Sequence, residues 1–383
     1  MNTRQLSLIF CLCSCGILTR SAASHVEGSP SYSSVRLGLI GTAESGFPAA
    51  LSESGRVGGY FGRNTPLPPF AVPVVWDSAG TPRQLPVVGE YAVGYVNGFL
   101  PDDTPVGLFG RVGQYPNGPV YWSVDNVVPL PDTGAGGNAI TGNAEIVFGQ
   151  TFTLTPGIGI TRVSATIWDN EGLTVISGLA GIDSYAQSVN VGGTYLGATV
   201  DTSNPSDYEF GGFIGRDGTA VRLNFPGFTE TRAFEINDDG WFTGVWEPAF
   251  ATQRGYLARW DLDTGEREIH DLGIFPGYDE TWAYAINNDR TVVGGAQHLG
   301  GDFDRALIWW QGSLTPQDLN LFVDIPEATL IDAYRINNAG QILAEARLHA
   351  GGYAYYVLTP VPEAGTSVVL LGASILAARR WRP

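Results

Sequence analysis

Four histidines, three cysteines and a surplus of carboxylates are the groups in this chain that could do chemistry. His25, His270, His298 and His349 stand far apart, without the spacing of a metal site. Cys11, Cys13 and Cys15 fall inside one short apolar run. There is no nucleophile elbow and no phosphate-cradling glycine loop. Asp261 and Asp263, in "DLDTGE" (261–266), have the spacing that opens a calcium loop. The third ligand and the closing bidentate acid are missing, so a polar hairpin turn is the simpler reading. These two aspartates are the candidate metal ligands, and Ca2+ is the candidate cofactor. Glycoside hydrolysis needs two carboxylates that face each other. The 38 acidic residues offer many pairs, and spacing singles out none. The expectation is a protein with no catalytic residues, not an enzyme.

Composition narrows the class. The 383 residues carry a formal charge of −17, and all 21 basic residues are arginine. Glycine is abundant at 51, aromatic residues make up 11% and charged residues 15%. Gly-rich, aromatic-rich and charge-poor is the profile of an all-β exported protein. Such a chain is too apolar for disorder.

Both ends look like addresses rather than domains. Arg4, the apolar "LSLIFCLCSCGIL" (6–18) and the small "SAA" (21–23) read as a signal peptide. It would take all three cysteines with it, leaving no disulfide in the mature body. At the far end stands "VPEAGTSVVLLGASILAARRWRP" (361–383). Its apolar run, 364 to 378, is shorter than the ~20 residues that comfortably span a bilayer. Arg379, Arg380 and Arg382 follow it as a positive cytoplasmic stop. Removing 1–23 and 362–383 leaves 16 basic and 37 acidic residues, hence 16 − 37 = −21. That charge argues against nucleic acid and against anionic lipid surfaces. Membrane contact is expected only through the tail.

The elements that would position any chemistry come from a repeat. "AFEINDDGWFTGV", "AYAINNDRTVVGG" and "AYRINNAGQILAE" recur at 50-residue intervals. Aligned on the Asn, the series is Ser52, Asn97, Thr141, Asn190, Asn237, Asn287 and Asn337. An apolar strand ending in a large residue recurs every 46 residues at Trp76, Trp122, Trp168, Ile214 and Trp260. It continues at Trp309 or Trp310 and at Tyr356. A turn follows, then a short strand. Asn, Asp and Gly in "INNDR", "INDDG" and "INNAG" are turn formers, because they tolerate positive φ. The repeated Trp are read as packing between sheets. Glycine recurs after the turn as Gly59, Gly197, Gly244 and Gly294, with Ala344 in the last unit.

The units resemble the HAF family of extracellular repeats, and "DLGIFPGYDETWAYAINNDRTVVGGAQ" (271–297) is the clearest copy. The resemblance extends, with decay, from about residue 36 to 358. It implies export and no reaction. The C-terminal stretch resembles the PEP-CTERM sorting tail of bacterial surface proteins, with Pro362 and Glu363 as its motif and Ala364 where the family has a second proline. That resemblance implies an exosortase-type membrane protease as partner, acting near Pro362-Glu363.

Four short strands in about 47 residues is the pattern of a propeller blade, and seven copies give seven blades. The chain begins on one partial unit, "SVRLGLIG", and ends on the complementary one, "GGYAYYVLTP". Pairing of the two would close the ring. An open β-solenoid is the alternative. The expected layout is a signal peptide (1–23), a linker (24–35), the propeller (36–360) and the sorting tail (361–383). The expected function is a surface or extracellular-matrix module that binds polysaccharide or another envelope component. The alternative is a carbohydrate-active hydrolase or lyase on the same scaffold.

Overall fold

A computed structural model describes residues 31–40, 45–62, 71–87, 92–111, 114–131, 136–155, 159–179, 181–201, 209–247, 252–299 and 303–362. The expected signal peptide (1–23), and the expected sorting tail from Glu363 with its arginines, lie outside the described residues. Among the described residues no helix is long and apolar enough to cross a membrane. One 3-10 turn, Leu319–Leu321, interrupts the strands.

Seven four-stranded antiparallel sheets make a seven-bladed β-propeller. The innermost strands, in blade order, are Ser45–Leu51, Ala92–Phe99, Gly137–Gly142, Asp183–Val189, Thr229–Ile236, Glu280–Ile286 and Ala328–Ile336. In blades one to six the chain runs outward to a short edge strand. Blade seven takes its outermost strand from the other end of the chain. Ser31–Arg36 pairs antiparallel with Tyr353–Val361, from Ser31 opposite Val361 to Arg36 opposite Tyr356. The ring is therefore closed by the two ends, as the partial units predict, and among the described residues no long sheet edge is left open. The closing strand begins at Ser31, so residues 31–35 belong to the propeller. That corrects the linker expected up to residue 35, and a polar "SYSSV" stretch hid it because the outermost strand is half solvated.

The repeated tryptophans fasten neighbouring blades. Each sits at the end of a third strand and donates its indole N–H to a carbonyl just past the previous blade's outer strand. Trp76 reaches Gly38 at 2.8 Å, Trp122 reaches Pro86 at 3.1 Å, Trp168 reaches Pro131 at 2.5 Å and Trp309 reaches Leu272 at 3.1 Å. A buried indole needs such a partner. At the ambiguous 309/310 position Trp309 is the fully buried one. Trp260 differs: Arg267 lies over its ring at 4.9 Å.

The repeated glycine has a backbone cause. Every inner strand carries a register shift at the same place, for example between Ala233 and Glu235, and between Ala283 and Ala285. Such a bulge pushes one inner-strand carbonyl toward the second strand. A Cβ on Gly244 would overlap the Arg232 carbonyl oxygen, and a Cβ on Gly294 that of Trp282. Gly107 and Gly149 stand at the same position in blades two and three. Blade seven carries Ala344 there, and its inner strand has a second shift, between Leu330 and Asp332, as blade five's has between Thr229 and Arg232.

Candidate ligand-binding site

The asparagines of the repeat do two jobs at one end of the channel. Asn237 Oδ1 accepts the Trp241 N–H at 2.9 Å, which caps its own turn, while Nδ2 donates to the Asn287 carbonyl at 3.0 Å in the next blade. Asn143, Asn190 and Asn337 repeat the arrangement, Asn337 passing its Nδ2 to Ser52 at 2.9 Å and so across the closure. A second tier runs one residue further on: Asp238 N–H to Asn288, Asn288 N–H to Asn338, and Asn338 N–H to Glu53. The turn asparagines are nearly fully buried, so they lock the ring.

This geometry corrects the alignment in blades two and three. The turn position is Leu100, whose N–H bonds Thr104, and Asn143, whose N–H bonds Ile146. Asn97 and Thr141 lie earlier, within inner strands. Asn97 instead donates to Asn138 Oδ1 at 2.6 Å, bridging blades two and three.

With the turn asparagines, indoles and glycines assigned to the scaffold, the positions that differ from blade to blade stand out. Two residues before each bulged residue stand Phe47, Tyr95, Asn138, Tyr185, Arg232, Trp282 and Asp332 in blade order. The bulged residue itself is Ala49, Asn97, Ile140, Gln187, Phe234, Tyr284 and Tyr334. Many are aromatic, and their rings touch from blade to blade. Phe234 and Trp282 stack at 6.2 Å with planes 9° apart, Trp282 and Tyr284 lie at 5.8 Å, and Tyr284 and Tyr334 at 6.0 Å. In blade one, Phe47 stacks on Tyr60 at 4.9 Å, and Tyr60 meets Tyr95 of blade two edge-on at 4.6 Å. An aromatic arc thus lines the channel over blades five, six and seven, and a second covers blades one and two.

Acids sit beneath the arc. Asp332 is 1% exposed; its Oδ1 accepts the Ala333 N–H at 2.9 Å, while Oδ2 has no partner. Burial holds its carboxyl well above the usual range, and the nearby Glu345 adds to the effect. Glu345 stands directly opposite Asp332 on the next strand and accepts the Tyr334 hydroxyl. Burial also raises Tyr284, Tyr334 and Tyr355, which therefore stay neutral donors at neutral pH. Toward the asparagine turns, the half-buried Glu235 has an Oε2 without a partner, and burial pushes its carboxyl up to about 7. Arg335 opposes that shift and Glu53 reinforces it. Glu235, Arg335, Phe234 and Gln187 line a cavity of about 250 Å³ that reaches down to the asparagine turns.

A second cavity, of about 310 Å³, opens where blade seven meets blade one. Ser45–Leu51 packs on Ala328–Ile336 less closely, by about half, than the other neighbouring inner strands pack on one another. The lower part of this seam is sealed by Leu37, Val57, Phe61, Trp76, Leu343 and Val357. Above that seal, Phe47, Tyr353, Tyr355, Arg36 and Glu345 line the opening.

Asp261 and Asp263 lie elsewhere, on an exposed outer hairpin. Asp261 Oδ1 accepts the N–H groups of Asp263 at 2.9 Å and Thr264 at 3.0 Å, bonds that hold its carboxyl below the usual range. Asp263 pairs with Arg216 at 2.5 Å in the preceding blade. Both carboxylates thus have turn and inter-blade partners. Among the described residues no three His, Cys, Asp or Glu converge as a metal site. His270 approaches Glu268, and His298 lies between Asp279 and Asp304 on the surface.

The chain matches no protein-family model and no curated protein. It is similar in fold to solved propellers. They include TolB from Acinetobacter baumannii (11% identity, 80% of this chain and 64% of that one, TM-score 0.32). Another is the β-propeller domain of the Trilobed protease from Pyrococcus furiosus (7%, 83% and 94%, TM-score 0.45). A third is Trypanosoma rangeli sialidase in complex with the inhibitor DANA (12%, 91% and 62%, TM-score 0.40). The chain spans about two thirds of the TolB chain or slightly less. At these identities the likeness concerns the propeller fold alone.

Proposed function

We propose that the protein is an exported, non-catalytic propeller that binds polysaccharide at the cell surface or in the extracellular matrix. The observation that carries this reading is the aromatic arc of Phe234, Trp282, Tyr284 and Tyr334. It is built from the positions that vary between blades, while the repeated positions are used up in holding the ring. Flat aromatic rings with neutral hydroxyl donors beside them suit a ligand that offers apolar C–H faces and hydroxyls. The predicted body charge of −21 favours a neutral polymer over an anionic one. A glycan array on the purified full chain tests it: binding to neutral polysaccharide is expected, and binding to no glycan contradicts it.

The hydrolase reading has one observation in its favour, Asp332 and Glu345 opposed on adjacent strands. Directly opposed residues have Cβ atoms about 5 Å apart, which brings their two carboxyl groups into one place on the sheet. Asp332 is 1% exposed, however, and an acid catalyst must reach its substrate. Binding is therefore preferred. Delivery follows the expected addresses: export by the N-terminal signal, then processing near Pro362-Glu363 by an exosortase-type protease. Intact mass of native protein from the surface fraction should lack both ends. A mass retaining 364–383 in the inner membrane would refute the sorting step.

A further inference from the structure

We infer that the cleft between blades seven and one is a separate site for a single neutral sugar unit, and that its occupancy tightens the closure of the ring. The inference rests on the polysaccharide-binding reading and adds a location and a consequence.

The cleft is a local exception to the symmetry of the fold. Elsewhere each inner strand packs closely on the next, but here the strands approach less closely, and the small Ser45, Gly46 and Pro48 face the opening. What lines the opening is not hydrophobic filler. Phe47 and Tyr353 are 38% and 54% exposed, so large rings face solvent. Arg36 and Glu345 bring a guanidinium and a carboxylate to the same wall. Glu345 already accepts the Tyr334 hydroxyl, which leaves further acceptor capacity on its carboxylate. A volume of about 310 Å³ lies at the small end of ligand pockets, roughly 300–1,000 Å³. One pyranose with rings against its faces and charged partners for adjacent hydroxyls matches that chemistry. The opposite charges of Arg36 and Glu345 leave no net field to recruit an ion.

The walls come from both ends of the chain. Arg36 belongs to the closing strand, Phe47 to blade one, and Glu345 and Tyr353 to blade seven. A ligand in contact with all of them bridges the one non-covalent pairing that closes the ring, Ser31–Arg36 on Tyr353–Val361, and also reaches blade one, to which the chain runs on from the closing strand. It binds the closed ring and not the opened one, so it lowers the equilibrium population of the opened ring by the factor 1 + [L]/Kd.

The test is hydrogen exchange of the full protein, read at the amides of Ser31–Arg36 and Tyr353–Val361. The probes are laminarihexaose, cellohexaose and mannohexaose, used with wild type, Glu345→Gln, Tyr353→Ala and Trp282→Ala. The expected result is exchange slowed about 100-fold at a hundred times Kd. The effect should be lost in Glu345→Gln, which keeps the side-chain shape, and in the exposed Tyr353→Ala, but kept in Trp282→Ala. Hexaose binding that leaves these amides unprotected, or protection that survives both seam substitutions, overturns the seam site while leaving polysaccharide binding standing. Binding of none of the hexaoses, with an empty glycan array, removes both.

Discussion

Replacing Asn237 separates the two jobs of the repeated asparagine. The side chain is 4% exposed; it caps the Trp241 N–H and donates to the Asn287 carbonyl. The Asn287 carbonyl keeps a second partner, the Arg290 N–H at 3.0 Å, so losing Nδ2 alone costs about one ordinary hydrogen bond, ~1 kcal/mol. The Trp241 N–H has no such reserve. Leaving it unpaired adds a desolvation penalty of roughly 1–3 kcal/mol. Asn237→Ser keeps a capping oxygen, as Ser52 does for the Arg56 N–H at 3.1 Å in blade one. The expected losses are therefore ~1 kcal/mol for Asn237→Ser and roughly 2–4 kcal/mol for Asn237→Ala, by guanidinium unfolding at constant m. Equal losses would show that the inter-blade bond, not the turn cap, dominates. A change below ~0.5 kcal/mol in both would refute the lock altogether.

Gly244→Ala puts a Cβ into the Arg232 carbonyl and should cost about 1–3 kcal/mol in the same assay, whereas Ala344→Gly should cost only ~0.5–1 kcal/mol. Equal effects would refute the bulge explanation of the repeated glycine. Glu235, raised to about 7 in the fold, binds a proton there that the unfolded chain releases above about pH 4.5. Stability should thus fall as pH rises from 4.5 to 7, and Glu235→Gln should flatten that window; an unchanged slope would contradict the burial argument. Deleting Ser31–Arg36 exposes the Tyr353–Val361 edge and should cause cooperative destabilisation or aggregation. A truncated protein that melts like the full one would sink the strand-closed ring.

Much of the scaffold was legible because it is periodic. Trp76, Trp122, Trp168 and Trp309 mark blade boundaries in sequence because each makes the same indole-to-carbonyl bond. The complementary chain ends gave away the closure for the same reason. Reading failed where a unit departs from the pattern. Leu100 makes the turn without a side-chain acceptor, so Asn97 took its place in the alignment. Gly107 and Gly149 went unnoticed because "PVGLFG" and "IVFGQ" do not look like "VVG". The site was unreadable for the opposite reason: its positions share no residue type. Nothing local tells Arg232, Trp282 and Asp332 that they occupy one register position. Only ring closure brings Phe47 to Glu345, nearly the whole length of the propeller away in sequence.

The central claim is that repeated residues hold the ring and varied ones bind the ligand. Calorimetric titration of the array-selected polysaccharide into wild type, Trp282→Ala and Asn237→Ser tests it most directly. Loss of a stacking ring is worth about 0.5–1.5 kcal/mol beyond its buried area, so affinity should fall by about tenfold or more in Trp282→Ala. It should stay within about twofold in Asn237→Ser, a scaffold change of ~1 kcal/mol in a ring that remains closed. Undiminished affinity in Trp282→Ala, or an equal fall in both variants, would contradict the account.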